Sequence, residues 1–229
     1  MTFSSRERKE ERLNRFYDPS LVVEDRTYNM AMGGTVLYGL IVNAVICNVA
    51  GDIYTYVNPI VFLIGYFALC IAGMAITYGS QSPVVSFIGY NLVVLPVGLV
   101  VSSAVYYAGG LGSEVVSQAF LYTILITAVM VALSISFPNF FSKLGGVLFT
   151  ALIGLLVSGF IIMIVGTSTL LHAYIGAAIF SLYIGFDFWR SQQYEKTINN
   201  AIHCSLDIYM DVVNLFLRLI RILGRANRR

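Results

Sequence analysis

Apolar residues run through this chain in long, nearly unbroken blocks, not in the alternating or one-sided patterns of soluble strands and helices. From about residue 28 each block approaches the roughly 20 residues that an α-helix needs to cross a bilayer. The blocks fall at about 28–50, 58–79, 84–108, 114–137, 144–166, 171–190 and 202–223. Short breaks separate them: Gly51-Asp52, Ser80 to Pro83, Gly109 to Ser113, Pro138-Asn139, Gly166 to Ser168, and a polar stretch from Arg190 to Asn200. Pro59, Pro83 and Pro138 stand near predicted helix starts, where a missing N–H does no harm. Pro96 falls inside the third block and predicts a kink. Gly146, Gly154, Ser158 and Gly166 are small enough to ease helix packing.

Breaks this short make neighbouring helices antiparallel. The expected fold is therefore all-α: a polytopic integral membrane protein whose residues 28–223 form one bundle of seven transmembrane helices. A polar tail, 1–27, precedes it, and a basic tail, 224–229, follows. Within the first tail, Arg6 to Arg15 alternates bases with acids, the pattern of a solvated helix. The first 27 residues hold no apolar core of a signal peptide, so the first block is expected to serve as an uncleaved anchor.

Composition sharpens the class. Of 229 residues 58% are hydrophobic and only 11% charged, where a soluble domain carries about 25% charge. That balance excludes a soluble enzyme, a disordered chain and a nucleic-acid binder. Cys47, Cys70 and Cys204 lie in or beside apolar blocks without CxxC spacing, which argues against a disulfide framework or a zinc site. No cofactor motif is present, and no cofactor is expected.

Charge placement gives orientation. Six of the 14 basic residues lie at or before Arg26, five lie from Arg218 onward, and none lies between Arg26 and Lys143. The positive-inside rule places the N-terminus in the cytoplasm, with Lys143, Arg190 and Lys196 on inner loops. A full seventh span would then set the C-terminal arginines outside, against the same rule; the alternative is a segment that dips in and returns. Tyr54, Tyr56, Tyr106, Tyr107 and Trp189 read as interfacial belt residues, and His172 and Glu114 as interfacial groups at segment ends.

The exceptions to the low charge count carry the candidate chemistry. An ionisable group at membrane depth costs about 2.5–3.5 kcal/mol and by default marks function. Asp187, near the end of the sixth block, and Asp211, in the seventh, each lie about twelve residues from the Asn199-Asn200 turn, so an antiparallel hairpin brings them to similar depth. Two carboxyls facing each other in low dielectric share a proton. Asp207, Asp211, Asn214, Arg218, Arg221 and Arg225 are spaced by 4, 3, 4, 3 and 4 residues and form one polar stripe on an otherwise apolar helix. A stripe of that kind suits a helix wrapped by others and lining an ion or proton path. The alternative is a stripe of Asp–Arg pairs whose outer arginines reach the interface.

Two stretches, Ile179-Phe-Ser-Leu-Tyr-Ile-Gly-Phe-Asp187 and Tyr209-Met-Asp211-Val-Val-Asn214-Leu-Phe-Leu-Arg218-Leu-Ile-Arg221, resemble the Bax inhibitor-1 family (the transmembrane Bax inhibitor motif, or Lifeguard, family) in a bacterial version. The resemblance covers about 50 residues. It implies a seven-helix fold with the C-terminal helix central, placed in a bacterial plasma membrane, and a pH-sensitive calcium leak with Asp187 and Asp211 as the proton-sensing pair. Asp207 is outside that motif. Family members often carry charged residues in or after the second segment, including an arginine that latches the pair. Residues 27–142 contain no Lys or Arg, so the expectation is either that Arg218 or Arg221 substitutes or that the gate works without a latch.

The expected partners are therefore the lipid bilayer, protons and calcium ions, with Asp187 and Asp211 as transient calcium ligands and Asp207, Asn214, Arg218 and Arg221 as accessory path residues. No nucleic acid and no catalytic role is expected. A second reading is a non-conducting interaction protein that regulates a membrane-protein partner such as a membrane protease, with residues 1–27 as its contact surface. An intramembrane aspartyl protease also has two aspartates on successive helices, but its Gly-x-Gly-Asp and Pro-Ala-Leu features are missing. The Asp-x-x-x-Asp of Asp207 and Asp211 likewise lacks the further partners of phosphatidyl-group transferases.

Overall fold

The computed structural model describes residues 19–166 and 170–226, and the expected helix at Arg6 to Arg15 lies outside them. Seven long helices account for most of the described chain: α1 (Asp25–Val49), α2 (Pro59–Gly79), α3 (Pro83–Tyr107), α4 (Glu114–Ser136), α5 (Gly145–Val165), α6 (Leu170–Ser191) and α7 (Ile198–Ala226). A single helical turn, Pro138–Phe141, separates α4 from α5. No strand occurs among the described residues.

The boundaries follow from local chemistry. Asn58 caps α2 by accepting from the Ile60 N–H, Ser113 caps α4 by accepting from the Val116 N–H, and prolines occupy the first positions of α2 and α3, where the helix needs no donor. Gly166 ends α5 in the left-handed region at φ 72°, a conformation that glycine adopts without steric cost. Pro96 sits inside one continuous helix, α3.

Six of these helices, α1 to α6, are long and apolar enough to cross a membrane. Their outward faces carry large apolar side chains, among them Ile64 and Phe67 on α2, Phe120 and Ile124 on α4, and Leu156 and Phe160 on α5. Water does not favour a belt of that kind and lipid does. Together they make this a multi-pass helical membrane protein.

Helix α7 packs against α1, α3, α4 and α6 and touches α2. Tyr28, Tyr90, Tyr209, Ile184, Leu206 and Leu215 are almost wholly buried there. At one end, Val23 N–H donates to the Lys196 carbonyl at 2.8 Å, tying the entry of α1 to the α6–α7 loop. At the other end, Gly224 of α7 faces Val115 at the start of α4. Helix α7 thus runs the length of the bundle, about 43 Å at 1.5 Å per residue. It begins at Ile198, earlier than the expected 202, and continues to Ala226.

Close packing rests on glycines other than those expected. A Cβ on Gly73 would meet the Gly89 carbonyl oxygen at 2.7 Å, and a Cβ on Gly89 would meet that of Gly73 at 2.7 Å, so α2 and α3 touch backbone to backbone. Gly146, Gly154 and Gly166 face open space, because α5 stands at the bundle's edge and packs mainly on α6.

Candidate functional site

Helices α6 and α7 form an antiparallel hairpin whose facing residues set the site. The Asp187 and Asp211 side chains are both buried, at 7% exposure each, and their carboxyls lie close enough across the hairpin to interact directly. A carboxylate has only acceptor oxygens, so two such groups this close can bond to each other only where one carries a proton. The two aspartates thus sit side by side, although the chain turns between Ser191 and Ile198 and the expected turn residues Asn199 and Asn200 lie within α7.

Arg190, one turn beyond Asp187 on α6, completes the arrangement. A single guanidinium nitrogen, Nη2, stands 2.9 Å from Asp187 Oδ1 and 2.8 Å from Asp207 Oδ2. The guanidinium also lies over the Phe186 ring at 5.4 Å. On its other oxygen Asp207 accepts a very short hydrogen bond from the Tyr78 hydroxyl of α2. The cation that holds the carboxylates is therefore Arg190, and neither Arg218 nor Arg221 takes that place. Arg221 is exposed on the bundle surface, and Arg218 lies elsewhere along the seam.

Around this centre a polar shell closes the same end of the bundle. His203 Nε2 and Ser86 Oγ stand 3.1 Å apart, Ser86 donates to Asn199 Oδ1 at 2.8 Å, and the Asn199 amide donates to the Ser80 carbonyl at 3.1 Å. Tyr78 meets the His203 ring edge-on. Helices α2, α3, α6 and α7 thus all contribute polar side chains to one end.

The stripe on α7 divides along its length. Asp207 and Asp211 belong to the carboxylate centre, and the half-buried Asn214 donates to the Met210 carbonyl at 2.8 Å. Arg218 lies across Gly176 of α6, its Nη1 3.1 Å from His172 Nδ1. His172, two residues into α6, is buried against the bundle, with Nε2 3.0 Å from the Leu155 carbonyl oxygen. Glu114, by contrast, is exposed at the start of α4.

Residue reasoning missed Arg190, Tyr78 and the His172–Arg218 pair. For Arg190 a signal existed. The hairpin arithmetic that sets Asp187 opposite Asp211 also sets Arg190 opposite Asp207, and three residues on a helix returns to the same face. Tyr78 gave no such signal, because its partner lies far away in sequence on another helix.

A many-helix membrane bundle with a buried carboxylate pair, one member of which is ion-paired to an arginine, narrows the class, and comparison with known proteins gives the family. The family model described as "Inhibitor of apoptosis-promoting Bax1" matches residues 22–228, and the chain belongs to that family, Bax inhibitor-1. It is 32% identical over 118 residues to the Golgi anti-apoptotic protein of Vaccinia virus (strain Lister), which is 51% of this chain and 49% of the viral protein. Protein lifeguard 4 of Mus musculus is 29% identical over 116 residues, 50% of this chain and 48% of its own. A membrane protein of Vibrio cholerae serotype O1 is 34% identical over 119 residues, 51% and 52% of the two chains. The chain spans about half the length of the curated relatives it matches.

Proposed function

We propose that this protein is a pH-sensitive cation leak of the bacterial plasma membrane, with calcium as the principal ion, gated by the Asp187–Asp211 pair. The observation that carries the reading is the burial of two carboxyls beside one another across the α6–α7 hairpin. In this state one proton is shared, and α6 and α7 are held together by it. Loss of the proton as pH rises sets two negative charges against each other in low dielectric, and the repulsion separates the helices.

Arg190 tunes that step. Its contacts with both Asp187 and Asp207 supply positive charge beside the pair and pin the cytoplasmic end of the hairpin through Tyr78 to α2. In this reading α7 is the seventh span, wrapped by the other helices, with the N-terminus cytoplasmic and the C-terminal arginines on the opposite side. The burial of its own polar groups inside the bundle, not loop charge, would fix that orientation.

Calcium prefers oxygen ligands and takes six to eight of them. Among the described residues no group of three or more His, Cys, Asp or Glu could hold a metal ion. Two carboxylates with backbone and hydroxyl oxygens suit an ion in passage, and the protein's role is conduction without catalysis. Calcium flux into proteoliposomes, compared with Asp187→Asn and Asp211→Asn, tests the reading. Unaltered flux in both variants sinks it.

A further inference from the structure

At the far end of the α6–α7 seam from the carboxylate centre lies a charge that the leak, as described, does not use. Arg218 follows Asp211 by seven residues on the same stripe, about 10 Å along the axis. Its side chain is half-buried and turned across α6, where Gly176 leaves room: a Cβ there would stand 2.8 Å from Arg218 Nε. Its partners are the His172 ring at 3.1 Å and the Phe180 face at 6.0 Å. No carboxylate of the described residues forms an ion pair with it.

The chemistry of His172 follows from its two contacts. Nε2 lies 3.0 Å from a carbonyl oxygen, which can only accept, so Nε2 carries the hydrogen. Nδ1 is then the acceptor for the Arg218 N–H. The imidazole is neutral in this arrangement and offers the guanidinium a hydrogen bond without cancelling its charge. Charged side chains within spanning segments pair with one another or with backbone carbonyls, and the partner of Arg218 is a neutral ring. Here an uncompensated cation is held in the same seam as the aspartates.

We propose that Arg218 is the electrostatic barrier to cations on this path, and that His172 is the positioning residue that holds it there. The inference rests on the leak reading above. The aspartates would attract a cation at one end of the seam and Arg218 repel it at the other, so that the resting leak stays small. The repulsion acts on a divalent ion twice as strongly as on a monovalent one.

The test is calcium and potassium flux in proteoliposomes carrying the full chain. Arg218→Gln should raise calcium flux by about tenfold and potassium flux by only about threefold, since the monovalent ion feels half the barrier. Arg218→Lys should restore the barrier. With Arg218 intact, His172→Ala should raise flux in the same calcium-favouring ratio, while His172→Gln, which keeps an acceptor, should not; this pair decides the matter if Arg218→Gln does not fold. Equal flux in Arg218→Gln and Arg218→Lys, or in the two His172 variants, would overturn the proposal. Asp187→Asn is run alongside. If it abolishes pH dependence while the arginine and histidine variants change nothing, the barrier idea alone fails. If the wild-type leak ignores Asp187→Asn, the leak reading itself fails.

Discussion

Arg190 of α6 meets Asp207 of α7 at 2.8 Å, so the acid lying outside the family motif is the one that ties the hairpin's arginine to its second helix. The same nitrogen reaches Asp187. Two of the three aspartates at this depth are therefore charge-compensated by a single cation supplied from within the hairpin.

Removing that cation should be costly and also functional. Breaking one partner out of a buried ion pair costs about 3 kcal/mol. Arg190→Gln should accordingly lower the thermal midpoint in detergent. It should also move the pH at which flux rises to higher values, because the pair loses the positive charge that favours its ionised form. A pH profile that stays in place with Arg190→Gln would remove Arg190 from the gate.

The opposite end of the bundle carries a separate acid–tyrosine contact. The Tyr107 hydroxyl donates to Asp52 Oδ2 at 2.5 Å, and that bond, aided by the Tyr54 N–H, holds the Asp52 carboxyl below its usual range. A group whose pKa is depressed on folding contributes stability above its unfolded pKa and loses it as pH falls through the folded value. Wild type should therefore lose this contribution on acidification through the carboxylate range, and Tyr107→Phe should lose it already at neutral pH. Thermal midpoints of the two, measured against pH, should converge at low pH; a constant gap would contradict this.

Helices α2 and α3 leave no space for a side chain where they touch. A Cβ on Gly89 would stand 2.6 Å from the Thr77 backbone N and 2.6 Å from its Oγ1. Gly89→Ala should destabilise the bundle by about 1–3 kcal/mol through overpacking, whereas Gly146→Ala, which faces open space, should be neutral. Detergent-solubilised thermal midpoints of the two variants make the comparison.

Much of this was legible in the residue pattern, and the parts that were not have physical causes. Long apolar blocks give the spanning helices because lipid imposes length and hydrophobicity together. The start of α7 escaped because hydropathy counts Asn199 and Asn200 as a break, while it tolerates Ser205 within the block. Inside the bundle they are satisfied: Asn200 donates to the Glu195 carbonyl at 2.9 Å and Ser205 to the Met32 carbonyl at 3.0 Å. Asp187 and Asp211 could be paired from spacing because they lie on consecutive helices of one hairpin, although the expected turn at Asn199-Asn200 falls inside the first turn of α7. Tyr78 and His172 could not, because their roles depend on how α2 and α5 dock, and no local period records that.

The most direct measurement is the pH profile of calcium flux in proteoliposomes for wild type, Asp187→Asn, Asp211→Asn and the double variant. Asparagine keeps the size and hydrogen-bonding capacity of the carboxyl but cannot lose the shared proton. The account predicts that wild-type flux rises as pH increases, and that every variant gives a flat profile. A wild-type pH dependence that survives in the double variant would contradict it.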